Sequence, residues 1–498
     1  MLRPLALMRI RKVGWHQCRV YCLKNLVDLL SLLDIELHHS MEITHLTLDS
    51  RDAIPGTLFI ACKGTEKDGR HYMDDAISRG AVAILQEGDN EIQSYHDIPL
   101  ISLRDLREDL STLAAFFYDY PLQHLTLIGV TGTNGKTSIT QLLAQAFTAL
   151  GKPAAVIGSL GNGVLGTLSE TKNTTPDAIT LQQLFATYVK QGIKVVAMEV
   201  SSHALDQGRV AGLLFDVGIF TNLTQDHLDY HGTMEAYGAS KKKLFNQVRQ
   251  VIINQDDAMG IALLNEFGGM AYSQHNTLTD YPCLRASEVK QSQQGMQFTL
   301  ASEQQRATIT TSLIGTFNVS NLLAVIACLL VQGESLHHIL AVVPRLQPVP
   351  GRMETVRLKN GVLAIVDYAH TPDALAKALQ AARPFCEGRL FCVFGCGGDR
   401  DRKKRPLMAS TVERYADRII VTQDNVRHES PVQIVADILQ GFSPNTDVMI
   451  EEDRAAAIRF AMHEAVAGDV VIIAGKGREP YQDVQGVKIP YSDFDVLK

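Results

Sequence analysis

The chain has 498 residues, more than one hydrophobic core ordinarily supports, so two or three domains are expected and three is the working number. With 46% hydrophobic and 20% charged residues it reads as a globular enzyme rather than a disordered or fibrous chain, and a formal charge of -7 argues against general nucleic-acid binding while leaving room for local phosphate pockets. No apolar run is long enough to cross a bilayer, and the eight cysteines, scattered and without a C-x-x-C pair, read as cytosolic thiols rather than a disulfide framework.

The first 24 residues carry six basic residues (Arg3, Arg9, Arg11, Lys12, Arg19, Lys24) and no acid, yet lack the apolar core and cleavage site of a signal peptide. They are expected to be an N-terminal extension or the product of a start codon assigned too early. Residues 25 to about 104 alternate short apolar runs such as Thr57-Leu58-Phe59-Ile60-Ala61 and Ala81-Val82-Ala83-Ile84-Leu85 with turn residues, which predicts a small α/β domain.

Leu125 to Leu150 holds the most specific signal. An apolar run ends in Gly129-Val130, Thr131-Gly132-Thr133-Asn134-Gly135-Lys136-Thr137 follows, and an apolar-periodic segment comes next. Strand, phosphate loop and helix are predicted. Glycines let backbone N–H groups turn toward a polyphosphate, the helix N-terminus faces the same anion, Lys136 reaches the β/γ-phosphates and Thr137 can hold Mg²⁺. The expected nucleotide-binding group is Gly132, Thr133, Asn134, Gly135, Lys136, Thr137 and Ser138. The loop departs from the strict G-x-x-x-x-G-K-[ST] pattern at Val130, and the competing explanation is a Gly-rich turn that carries a lysine.

Strands are predicted at Val195 to Val200, Phe215 to Leu223 and Val251 to Asn254, with helix-length segments between them, so the sheet should be mostly parallel. Glu199 then projects from a carboxyl strand edge, where a carboxylate suits Mg²⁺ as well as plain solvent. Asp226, His227 and Asp229 follow the next strand and can support a metal or a phosphate–metal complex. Lys241-Lys242-Lys243 has a solvated helix face as its default explanation. A Gln/Ser/Thr-rich segment from about Ser273 to Thr311 predicts an antiparallel excursion, and Pro348-Val349-Pro350-Gly351 a hinge. Further strands are expected at Val362 to Asp367, Arg389 to Gly395, Arg418 to Thr422 and Val470 to Ala474. Cys392 and Cys396 are expected in the core rather than on zinc. Asp367 to Asp373 and Gly395 to Arg402 bring charge to strand ends, and Arg352, Lys404 and Arg405 add cations that can meet phosphate.

Thr131 to Thr137, Glu199 to His203, Asn222 to Gly232, Asn318 to Asn321, Gly351 to Glu354, Asp367 to Asp373 and Gly395 to Met408, in that order and spacing, resemble the Mur ligase family of ATP-dependent amide-forming enzymes in peptidoglycan precursor synthesis. The resemblance spans Leu48 to Gln482 and is nearest to the branch that adds the third residue of the peptide. It implies an α/β fold of three domains: a uridine-nucleotide-binding domain at 1–104, a central ATP-binding domain with a mostly parallel sheet at 105–349, and a Rossmann-like amino-acid-binding domain at 350–498. Leu48 to Arg51, with Ser50, and Asp68-Gly69-Arg70 resemble the uridine pocket; Thr174, Thr175, Ser201, Gln207 and Arg209 resemble contacts to the muramoyl-dipeptide arm. Tyr237 to Lys241 resembles the segment whose lysine is carbamylated, so Thr137, Glu199, His227 and carbamylated Lys241 would be the Mg²⁺ ligands, with Asn318, Asn321, Arg352, Asp367 and His370 at the nucleotide.

Asp424-Asn425-Val426-Arg427 resembles a D-N-P-R motif and Gly475-Lys476-Gly477-Arg478-Glu479 a G-K-G-H-E motif, with valine in place of proline and arginine in place of histidine. In that group Arg400, Asp424, Asn425, Arg427, Gly475 and Glu479 would hold meso-diaminopimelate, whose distal carboxylate gives Arg427 a bidentate partner that lysine lacks. The implied reaction activates the D-glutamyl γ-carboxylate of UDP-N-acetylmuramoyl-L-alanyl-D-glutamate as an acyl phosphate, with Lys136, Mg²⁺ and His227 neutralising the phosphoryl group, before the amine attacks. Catalytic roles thus fall on Lys136, Glu199, His227 and Lys241. A cytoplasmic monomer is expected, with neither nucleic acid nor membrane insertion. A switch protein that only binds ATP would leave the muramoyl and amino-acid motifs unexplained.

Overall fold

The computed structural model describes residues 22–37, 40–64, 67–275, 280–292, 294–303 and 305–498, so nearly all of the basic N-terminal stretch lies outside them. The chain forms two compact units, one of Met1–Leu125 with Pro176–Lys194 and Gly208–Leu213, the other of the remainder.

In the smaller unit, His45–Thr47, Thr57–Ala61, Ala81–Glu87 and Ile98–Leu103 form a parallel sheet, closed at one edge by antiparallel Glu91–Tyr95. Both strand runs read from the sequence in this region are present. Helix Leu106–Phe117 lays Leu106, Leu110, Leu113 and Phe117 into the same core as Ala178, Ile179 and Ala186 of helix Ala178–Lys190.

The larger unit holds two sheets. The first has ten strands in the order Gly161–Gly163, Ala154–Gly158, Val195–Glu199, Thr126–Thr131, Phe215–Phe220, Val248–Asn254, Met270–Ser273, Cys283–Ser292, Gly295–Ala301, Arg306–Thr311. Its middle is parallel, and the expected antiparallel excursion is its far edge. Val195–Glu199 is buried at every position, because helices cover both faces and both parities of the pleat must be apolar. Helix Lys136–Ala149 shows why it docks there: Ile139, Leu142, Leu143, Ala146 and Phe147 recur at helical spacing and join Ile128, Val130, Ala197 and Ile219 in one core. Each buried Ile, Leu, Val or Phe among these contributes roughly 1.5–3 kcal/mol by leaving water.

The second sheet runs Glu354–Arg357, Leu363–Asp367, Val470–Ala474, Leu390–Phe394, Arg418–Val421, Val448–Ile450, parallel except for its first strand. Cys392 and Cys396 are buried in its core, as expected of packing residues. The hairpin Tyr481–Val484 and Val487–Pro490 follows.

Topology places the chemistry. From Thr126–Thr131 the chain crosses to Ala154–Gly158 on one side, returns through Val195–Glu199, and only then continues to Phe215–Phe220 on the other, so strand order reverses beside the phosphate loop. Register puts Glu199 against Val130 and Phe220 against Thr131, so the segments that follow these strands gather at one carboxyl edge. In the second sheet Asp367 pairs with Ala474 and Phe394 with Val421, gathering the 367–373, 395–402, 422–427 and 475–479 segments in the same way.

Candidate active site

The phosphate loop is shaped by the strand end beside it. Asn222 accepts from the N–H of Thr133 through its backbone carbonyl at 2.8 Å and from that of Asn134 through Oδ1 at 2.9 Å, while the Thr221 hydroxyl donates to the Asn134 carbonyl at 2.6 Å. Gly132 has φ of 144° and a side chain there would run into Thr221 Oγ1; Gly135 has φ of 91° and faces Asn321 Oδ1. Lys136 Nζ folds back onto the carbonyls of Gly132 and Thr133 at 2.8 and 2.9 Å. Burial lowers the pKa of its ammonium, opposed by the charges of Glu199 and Asp226.

Thr137 and Glu199 meet, with Thr137 Oγ1 3.0 Å from Glu199 Oε2. Glu199 is also fixed by the Ser159 N–H at 2.8 Å and the Ser159 hydroxyl, and Arg352 Nη2 lies 3.2 Å from the Thr137 hydroxyl. Among the described residues no three His, Cys, Asp or Glu side chains form a ready metal cage. A hydroxyl and one carboxylate still fit Mg²⁺, which retains waters and takes phosphate oxygens for the rest of its shell.

The lysine triplet divides, contrary to a uniformly solvated face. Lys242 and Lys243 reach solvent and pair with Glu266 and Asp206, whereas Lys241 is 1% exposed, donates to the Gly132 carbonyl at 2.8 Å and lies 4.4 Å from the Tyr237 ring centroid. Tyr237 in turn meets Thr133 Oγ1 at 3.2 Å. Burial, and then the nearby Lys136, holds the Lys241 amine well below the ordinary lysine range. The imidazole of His227, with φ of 54°, is likewise pushed well below the ordinary histidine range, by burial first and then by the surrounding His203, Lys241 and Lys136, with Asp226 opposing.

Asp226 joins the two carboxyl edges. It is 4% exposed and lies 3.2 Å from Lys404 Nζ, 3.5 Å from His370 Nε2 and 3.4 Å from His227 Nε2. Burial alone would raise its pKa; the bond from His370 and the charge of Lys404 outweigh that and hold the carboxyl well below the usual range. Gln225 to Asp401 at 3.0 Å and Asn134 to Asp373 at 3.1 Å run in parallel with it. Arg352 stacks over Tyr368 at 4.3 Å, and Asp367 accepts the N–H groups of Met353 and Ala369 at 2.7 and 2.8 Å. Asn318 lines a small cavity with Ser138, Leu142, Ile314, Val349 and Arg352, and its Oδ1 accepts from Asn321 at 2.8 Å. Arg405, by contrast, is not a phosphate cation: it is fully buried against Glu429, Asp437 and the Gly397 carbonyl.

The amino-acid motifs adjoin on the second sheet's edge. Asn425 donates to Glu479 Oε2 at 2.8 Å, Gly475 has φ of 115° with Asp424 where a side chain would stand, and Arg427, φ 49°, donates to the Gly398 carbonyl at 2.7 Å. Arg400 donates to the Asp399 carbonyl at 3.0 Å. Val426 is buried in the core, and the rigidity a proline ring would supply comes from backbone bonds of Arg427 to Asp483 and Gln485, both 2.9 Å. Arg478 turns to Glu354 and stacks over Phe494 at 3.6 Å.

Thr175 donates to the Glu199 carbonyl at 2.8 Å and accepts from the Ser201 N–H at 3.0 Å; Thr174 lies 3.4 Å from Ser159 Oγ, and Gln207 reaches the Tyr230 hydroxyl at 3.3 Å. Ser50, buried in the turn Ser50–Asp52, and Arg209 belong to the smaller unit. Ser159 carries no sequence signal, the contacts of Tyr237 and Tyr368 are not legible from their motifs, and the pairing of Asp226 with Lys404 is set only where distant strand ends meet.

A double-mutant cycle of Asp226→Asn and Lys404→Met, read on kcat/KM for ATP, is expected to show coupling on the order of 1–3 kcal/mol. Additive losses would mean that the two edges act independently.

Three family models match: the Mur ligase family catalytic domain over residues 42–118, the Mur ligase middle domain over 130–329, and the Mur ligase glutamate ligase domain over 351–477. The UDP-N-acetylmuramoyl-L-alanyl-D-glutamate--2,6-diaminopimelate ligase of Ectopseudomonas mendocina is 48% identical over 455 residues, 91% of this chain and 93% of that one. The protein of the same name from Chromobacterium violaceum is 47% identical over 468 residues, 92% and 94% of the two chains. A solved structure of a UDP-N-acetylmuramoyl-L-alanyl-D-glutamate--2,6-diaminopimelate ligase superposes with a TM-score of 0.66 at 35% identity, covering 94% of this chain and 97% of that one. MurF from Thermotoga maritima in complex with ADP shares the fold, with a TM-score of 0.59 at 18% identity over 86% of this chain and 93% of that one. The chain belongs to the Mur ligase family.

Proposed function

We infer that the protein is an ATP-dependent ligase that joins meso-diaminopimelate to UDP-N-acetylmuramoyl-L-alanyl-D-glutamate through an acyl phosphate, in peptidoglycan precursor synthesis. The observation that carries this is the Asp226 junction, which brings the phosphate loop and the amino-acid edge of the second sheet into one unit. The names and near-complete coverage of relatives at 45–48% identity support the substrate pair.

In this reading ATP lies with its phosphates at Gly132 to Ser138 and its base end toward Asn318 and Asn321, beside Arg352, Asp367 and His370. The γ-carboxylate oxygen of the D-glutamyl residue attacks the γ-phosphorus and ADP leaves. Lys136, tethered to two loop carbonyls, is held ready for the charge on the transferring group rather than recruited from solvent. Mg²⁺, held by Thr137 and Glu199 with a second ion at His227 and carbamylated Lys241, would neutralise phosphate charge. The diaminopimelate amine, held through Arg400, Asp424, Asn425, Arg427, Gly475 and Glu479, attacks the acyl carbon, and phosphate departs as the amide forms. Excluding water at this stage protects the acyl phosphate from hydrolysis. Ser50 of the N-terminal domain, assigned to residues 1–104, serves the uridine end; Thr174, Thr175, Ser201, Gln207 and Arg209 serve the muramoyl-dipeptide arm. The reaction is assigned to a cytoplasmic monomer.

Lys241 supports its own modification. Burial lowers the Lys241 pKa and so favours the free-amine form that adds CO₂, and the resulting carbamate would supply the anion a second cation needs. Full-length protein equilibrated with ¹³C-bicarbonate should give a carbamate carbon resonance that Lys241→Arg removes together with at least 100-fold of activity. A fully active Lys241→Arg protein would contradict the assignment.

The reading is tested by phosphate release from ATP with UDP-N-acetylmuramoyl-L-alanyl-D-glutamate, comparing meso-diaminopimelate with L-lysine and weighing the product. Release and the tripeptide mass with diaminopimelate alone are expected. Preference for lysine would overturn the assignment of Arg427, and silence with both would overturn the ligase reading.

A further inference from the structure

Lys476 has no task in the mechanism above, yet it is a fully buried charge within the amino-acid motifs. Its side chain is 0% exposed; Nζ donates to Asn425 Oδ1 at 2.9 Å and to Glu479 Oε2, and stands 3.8 Å from Asp424 Oδ1. An ammonium withdrawn from water this far persists only when paired, so these three groups hold it and it holds them.

Asn425 shows the consequence. Its Oδ1 accepts from Lys476 and from the Asp483 N–H at 2.8 Å, while its Nδ2 donates to Glu479 Oε2 at 2.8 Å. The amide cannot turn over without breaking all three bonds. Glu479, with 19% of its side chain exposed, is the member of the network that reaches outward. Its carboxylate is aimed by Lys476 and Asn425 together.

We propose that Lys476 sets the choice of amino acid: it fixes Asn425 and Glu479 and offsets one of the two carboxylates, Asp424 and Glu479, beneath the distal end of the substrate. The proposal rests on the ligase reading and on the assignment of that end to Asn425, Arg427 and Glu479. The distal end of meso-diaminopimelate carries a carboxylate and an ammonium and is neutral overall; that of lysine is a bare cation. Two carboxylates with one buried ammonium leave a single excess negative charge for the distal ammonium, while Arg427 remains for the distal carboxylate. Without Lys476 the excess doubles. The subsite then favours a bare cation, so Lys476 acts against lysine as well as for diaminopimelate.

The test measures kcat and KM for meso-diaminopimelate and L-lysine in wild type, Lys476→Met, Lys476→Gln, Glu479→Gln and the Lys476→Met/Glu479→Gln pair, with thermal melting to establish folding. Expected are a rise of tenfold or more in KM for diaminopimelate in Lys476→Met, a kcat at saturation within about threefold of wild type, and a tenfold or greater fall in discrimination against lysine. The effect should be largely absent in the Glu479→Gln background. Lys476→Gln keeps a donor for Asn425 without the charge; it should hold KM better than Lys476→Met but lose discrimination, and it carries the test if the methionine variant does not fold. Equal proportional losses for both amino acids, or losses additive with Glu479→Gln, would overturn the proposal. Wild type that does not use diaminopimelate would instead overturn the reading beneath it.

Discussion

The buried carboxylate of Asp226 is the contact on which the active-site geometry depends. It belongs to the segment that shapes the phosphate loop, and it is held by Lys404 and His370 from the carboxyl edge of the other sheet. A carboxylate so far from solvent is tolerated only with partners around it, and here the Lys404 ammonium and the His370 ring come from the second sheet. The charge of Asp226 is therefore satisfied only with the two sheet edges together. The Gln225 to Asp401 and Asn134 to Asp373 bonds have the same logic with neutral or singly charged partners, and they add orientation more than energy.

Burial is used chemically as well as structurally. Lys136 and Lys241 both touch the Gly132 carbonyl, so two amines share one loop, and Lys136 adds to the burial that lowers the proton affinity of Lys241. The more deeply placed of the two, Lys241, is the one carried furthest from the ordinary lysine range. Lys136 lies on the loop carbonyls and Arg352 on the Thr137 hydroxyl, so both long basic side chains stand at the place where a polyphosphate is expected. On the second sheet the same economy appears in Asn425, whose single amide joins Lys476, Glu479 and the Asp483 backbone.

Much of this was legible in the sequence because it is local. Val470 to Ala474 reads as a strand from five consecutive apolar residues, and the phosphate loop is legible because glycines, lysine and threonine must lie adjacent to cradle an anion. The antiparallel excursion was marked by its shift to Gln, Ser and Thr. What escaped depends on partners far along the chain. A lysine triplet on a helix shows three charges but not which one a distant loop will cover, so Lys241 parts from Lys242 and Lys243 only in three dimensions. Lys404 and Arg405 are neighbours with the same charge, yet helical geometry sends one to Asp226 and the other into Glu429 and Asp437. Valine at position 426 lacks the fixed φ of proline, and the hairpin whose backbone bonds hold Arg427 beside it lies more than fifty residues later.

The account stands on the γ-carboxylate becoming an acyl phosphate between these two edges. The most direct measurement uses UDP-N-acetylmuramoyl-L-alanyl-D-glutamate with ¹⁸O in the D-glutamyl γ-carboxylate, and mass analysis of the phosphate released as the amide forms. The account predicts one ¹⁸O per phosphate, carried over from the carboxylate. Phosphate free of the label, formed in step with the amide, would contradict it.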